Sequence, residues 1–117
     1  MANPNILALS SVTGKSNTAQ ITTGGVTILS GSAGTVLKVN TLMIGNMDGV
    51  TAYGVTMNYN NGITSVTVAN NISVPAQSTL TIIDKTATFY MEENHTIVLY
   101  ASQNNKLNSI ISYEIMS

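Results

Sequence analysis

The stretch Ala52-Tyr53-Gly54-Val55-Thr56-Met57-Asn58-Tyr59, closed by Asn60-Asn61-Gly62, decides the fold. Its large side chains, Tyr53, Val55, Met57 and Tyr59, fall on every second residue, with Ala52, Gly54, Thr56 and Asn58 between them. A period of two is the geometry of a strand with one buried face. Asn-Asn-Gly then supplies residues that tolerate the backbone of a tight turn. This is antiparallel sheet text.

The same grammar extends in both directions. Val, Ile and Thr, which are stiff at the first side-chain torsion and suit a pleated surface, recur throughout and are broken at short intervals by Gly, Asn, Asp and Ser. Upstream, strands are expected at Lys15–Thr22, Val26–Leu29 and Thr35–Asn46. Gly24-Gly25 and Gly31-Ser32-Ala33-Gly34 read as hairpin turns and Asp48-Gly49 as a hairpin signal. Downstream, Val66 and Val68 mark a short strand broken at Asn70-Asn71, and Ile72-Ser73-Val74-Pro75 reads as an edge, because proline cannot donate to a ladder. Ser78–Ile83, Thr88–Met91, Thr96–Ser102 and Leu107–Ile115 complete the set. No window carries a helical apolar face. The expectation is an all-β chain: a single antiparallel β-sandwich of eight or nine strands over residues 15–117, with a small barrel as the alternative. Residues 1–14 read as an extended N-terminal arm. Its apolar patch, Asn5-Ile6-Leu7-Ala8-Leu9, is the candidate interaction segment, either a tether to a neighbour or an extra edge strand.

Composition narrows the function. Of 117 residues, 44% are hydrophobic and only 8% charged, against about 25% in ordinary domains. Four lysines (Lys15, Lys38, Lys85, Lys106) and no arginine give no cluster to neutralise phosphates, so nucleic acid is not an expected partner. With no cysteine there are no disulfides and no thiolate metal sites. The N-terminus lacks the basic start of a signal peptide, and no apolar run reaches the ~18 residues of a membrane helix. The chain is expected to be made in a cytoplasm, with no membrane partner.

Catalytic constellations are sparse. His95 is the only histidine and falls in the turn Glu92-Glu93-Asn94-His95, where it reads as a solvated loop residue. Asp48 and Asp84 sit in turn sequences, and no G-x-S-x-G elbow or P-loop is present. Met43, Met47, Met57 and Met91 read as core filler rather than copper ligands. The expectation is a non-enzyme with no catalytic, cofactor or metal site.

Three blocks carry a resemblance: Gln20–Ala52 (QITTGGVTILSGSAGTVLKVNTLMIGNMDGVTA), Ile72–Lys85 (ISVPAQSTLTIIDK) and Leu107–Ile115 (LNSIISYEI). In this order and spacing they resemble small virion structural proteins of tailed phages, especially contractile-tailed phages of marine cyanobacteria. The resemblance implies a β-sandwich carried in many copies on the virion, without enzymatic activity. The implied role is a capsid decoration or cement protein, with the major capsid protein and copies of itself as partners. A neck, tail or fibre component is the structural alternative, and a carbohydrate-binding adhesin using Tyr53, Tyr59, Tyr90, Tyr100 and Tyr113 is the alternative of a different class. One departure stands out. Where the resemblance implies a Glu-Glu-Gly-Asp-like turn, this chain has Glu92-Glu93-Asn94-His95, and Asn94 must take over the glycine's left-handed backbone.

Overall fold

The computed structural model describes residues 12–84, 86 and 88–116. Their secondary structure is nine strands: β1 (Val12–Gln20), β2 (Val26–Ser30), β3 (Val36–Asn46), β4 (Tyr53–Asn60), β5 (Ser65–Val74), β6 (Thr79–Ile83), β7 (Phe89–Met91), β8 (Thr96–Ala101) and β9 (Leu107–Met116). They form two antiparallel sheets. One runs β1-β9-β3-β6, with β7 also pairing with β3, and the other runs β2-β8-β4-β5. Apart from β4–β5 and β6–β7, each strand is followed by one in the opposite sheet. This interleaving is the double Greek key of a jelly roll.

The expected sandwich is therefore present. The alternating positions of β4, β8 and β9 supply its core: Val55 and Met57, Ile97 and Leu99, Leu107 and Ile111 are fully buried. Leu42 and Ile44 of β3, in the same sheet as β9, close with Leu107 and Ile111 on the β4 and β8 side chains of the facing sheet. Each such side chain contributes roughly 1.5–3 kcal/mol of transfer free energy, so the layer between the sheets dominates stability.

Four expectations are corrected in detail. Gly24-Gly25, Gly31–Gly34 and Asp48-Gly49 do not close hairpins, because each connects strands of opposite sheets; among consecutive described strands only β4 and β5 pair. Strand β5 runs unbroken through Asn70-Asn71, absorbing two register shifts against β4 as bulges. Asn71 takes φ 49° there, and its N–H donates to Thr56 Oγ1 at 2.9 Å. Strand β1 begins at Val12 rather than Lys15, since Val12–Gly14 pair with Met116–Glu114. Met57 and Met91 are buried as expected, but Met43 and Met47 are 37% and 52% exposed. Met43 lies between the inward-facing Leu42 and Ile44, so its side chain must face outward.

Asn94 does take the left-handed backbone, with φ 64°. The turn it serves is clamped to the β2–β3 crossover: Gly31 N–H donates to His95 O at 2.9 Å, and Asn94 N–H donates to Gly31 O at 3.1 Å.

Candidate interaction surfaces

Register places an uncharged face on the β1-β9-β3-β6 sheet. Cross-strand partners share a face, so Thr18, Ile110, Met43 and Thr81 form one row across the four strands. Gln20, Asn108, Gly45 and Thr79 form the next. These two rows carry no charge. Charge enters further along, where Lys38 stands beside Glu114 on β9 and Tyr90 on β7. A depression of about 360 Å³ is lined by Met43, Gly45, Thr79, Asn108, Ser109 and Ile110. Asn108 Nδ2 lies 2.9 Å from Met47 Sδ and ties the exposed methionine to the rim.

The adjoining loop, Met47–Ala52, continues this surface, and the sequence explains its rigidity. Asn46 is 5% exposed. Its Nδ2 donates to Val74 O at 2.9 Å and Thr51 O at 3.0 Å, while its Oδ1 accepts from Asp48 N–H at 2.8 Å. Asp48 Oδ1 accepts from the N–H groups of Val50 and Thr51 at 2.8 and 3.0 Å. Lys106 Nζ reaches Asp48 Oδ2 at 3.3 Å. The backbone N–H groups of Thr51 and Val50, and then Lys106, hold the Asp48 carboxyl down to about 2. The loop's single anion is thus neutralised locally, and it presents Val50 at 89% exposed and Met47 at 52%.

The opposite end of the sandwich bears a groove of about 520 Å³ between β5 and β7, lined by Tyr59, Val66, Val68, Phe89, Tyr90 and His95, with Asn61 and Glu92. Val66 pairs with Tyr59 and so faces inward, yet it is 55% exposed because β5 is an edge strand. Tyr59 meets Phe89 edge to face, with ring centroids 5.8 Å apart.

The expected solvated His95 is instead half-buried and hydrogen-bonded, Nδ1 to Tyr59 Oη at 2.6 Å. Burial, and then the Glu92 charge, raise the Tyr59 phenol above its ordinary value. It stays protonated at neutral pH, which makes it a poor base or nucleophile. The carboxylates are spread over separate local jobs. Asp84 Oδ1 accepts from Thr86, Glu93 Oε2 from Gly34 N–H, and Glu114 Oε1 from Asn40 Nδ2. Among the described residues no three of His, Asp and Glu gather as a metal ion would require. Of the tyrosines, Tyr113 is buried, Tyr53, Tyr59 and Tyr100 are half-buried, and Tyr90 alone is exposed, at 50%.

The candidate segment Asn5, Ile6, Leu7, Ala8 and Leu9 lies outside the described residues. Leu42-Met43-Ile44 and Ser109-Ile110-Ile111 are apolar on both faces, and that pattern already points one face of each strand toward the N-terminal arm or a second subunit. The surface residues missed by sequence reasoning are Met47 and Val50, whose signal is that they are apolar residues flanking Asp48-Gly49. No protein-family model and no curated protein matches the chain.

Proposed function

We propose that this chain is a non-catalytic structural subunit of a tailed-phage virion, and that it serves as a capsid decoration protein held on the head surface in many copies. The observation that carries the reading is the uncharged outer face built from Thr18, Ile110, Met43 and Thr81, continued by Met47 and Val50. Burying such a face against a neighbour strips water from apolar atoms and no lone charge, so the desolvation cost is small. Contacts that are weak singly hold firmly when repeated over a lattice. The three blocks that resemble virion proteins support the same reading, as does a jelly roll, a fold that capsid proteins share with lectins and cupins. The major capsid protein is the partner this reading implies, and the virion is the place of action.

Quantitative mass spectrometry of purified particles tests it. The decoration reading expects the chain at a copy number comparable with the capsid protein. A copy number fitting a single ring moves it to the neck or tail, and absence from particles refutes a virion role.

A further inference from the structure

The tip of the β4–β5 hairpin brings together the parts of a reaction. Asn61-Gly62 is the single Asn-Gly pair in the chain. A glycine lets its own backbone nitrogen approach the preceding side-chain amide closely, because no Cβ stands in the way. Gly62 takes φ 89° here. Asn61 Oδ1 accepts from the N–H of Ile63 at 3.0 Å and from the N–H of Thr64 at 2.8 Å. An Asx turn of this kind folds the side chain back over the intervening peptide, which sets Asn61 Cγ beside Gly62 N. From the other side, Gly62 N–H donates to Asn60 Oδ1 at 2.7 Å, which fixes the orientation of that nitrogen. Asn61 and Gly62 are both exposed, so water reaches the site.

We propose that Asn61 is a self-modification site, at which the folded hairpin converts its own asparagine to aspartate or isoaspartate. Gly62 N attacks Asn61 Cγ and gives its proton to water. The electron pair of the amide carbonyl moves onto Oδ1, where the Ile63 and Thr64 N–H groups act as an oxyanion hole. As the carbonyl re-forms, the Cγ–Nδ2 bond breaks, and Nδ2 takes a proton from water and leaves as ammonia. Water then opens the succinimide at either carbonyl. Asp48-Gly49 has the same spacing and a different fate. The N–H groups of Thr51 and Val50, and then Lys106, hold the Asp48 carboxyl down to about 2, so at neutral pH it is a carboxylate and a poor electrophile. Conversion of Asn61 adds one negative charge to a chain whose formal net charge is −1. That charge falls on the rim of the groove lined by Val66, Val68 and Phe89, next in sequence to Gly62 and the 94% exposed Ile63.

The test compares initial conversion rates at neutral pH in the full chain, folded and unfolded in urea. Peptide mass spectrometry locates the amide-to-acid change, isomer-resolved chromatography separates aspartate from isoaspartate, and circular dichroism verifies the folded state. Asn61 should convert at least about tenfold faster in the folded chain than in the unfolded one, a modest share of the roughly 10²–10³-fold that one well-placed oxyanion donor is worth. Asn104 and Asn105, exposed in another turn, serve as internal references and should lag behind Asn61 in the folded chain. A folded chain that converts Asn61 no faster than the unfolded one would overturn the proposal, because the turn would then be a restraint and not a catalyst. Conversion led by Asn104 or Asn105 in the folded chain would overturn it as well.

Discussion

Substituting Gly31 by alanine should destabilise the domain by about 3–5 kcal/mol. A methyl group built on Gly31 collides with the Glu92 carbonyl oxygen and comes within 3.1 Å of its carbon and 3.2 Å of the Glu93 Cα. All three obstacles are backbone atoms, so no rotamer change makes room. The whole Glu92–His95 turn must withdraw, straining the bonds from Gly31 N–H to His95 O and from Asn94 N–H to Gly31 O. Two weakened hydrogen bonds contribute about 1 kcal/mol each, and overpacking adds roughly 1–3 kcal/mol when relief is incomplete. The sum lies at the upper part of the range for single substitutions. Urea unfolding followed by far-ultraviolet circular dichroism measures it directly. Gly24→Ala is the matched control, because a methyl group there meets nothing within 4 Å; it should stay within about 0.5 kcal/mol of the parent or gain slightly from a stiffer unfolded chain. If Gly31→Ala unfolds within about 0.5 kcal/mol of the parent, the clamp between the β2–β3 crossover and the His95 turn does not exist as described.

Asn46→Ala should cost about 2–4 kcal/mol in the same assay, because it leaves Val74 O, Thr51 O and Asp48 N–H without their partner. Asp48 makes stability pH-dependent. Its folded value of about 2 lies below the ordinary 3.8, so its contribution is complete above about pH 4 and disappears as pH falls toward 2. An Asp48→Asn variant should lose part of that acid slope in urea titrations run across this window. Met43→Lys places a charge on a side chain already 37% exposed. It should shift unfolding by no more than about 0.5 kcal/mol while lowering incorporation into particles at least about tenfold, the equivalent of roughly 1.4 kcal/mol per contact. Equal incorporation of parent and variant in a competition assay would remove Met43 from the interface.

Which residues form strands was legible, and how the strands are joined was not. Tyr53–Tyr59 alternate because one face of β4 is buried, and that pattern is local. Asp48-Gly49 has hairpin chemistry, but the same residues serve equally well in a crossover. The choice depends on where β4 finds its partners β5 and β8, and β8 lies some forty residues away. Met43 shows the same limit from the other side. Strand β3 is apolar on both faces through Leu42-Met43-Ile44, and periodicity alone cannot tell which face meets the core. His95 reads as solvated from its polar turn neighbours, because the Tyr59 that bonds it comes from β4, 36 positions earlier. Asn94 was readable because a left-handed turn position is a local requirement, and φ 64° meets it.

A cryo-electron microscopy map of the particle, with this domain fitted into it, tests the central claim most directly. The account predicts Met43, Ile110, Met47 and Val50 in contact with a neighbouring subunit. A domain fitted with that uncharged face turned to solvent, and attached to the particle through Lys38 and Glu114 instead, would contradict it.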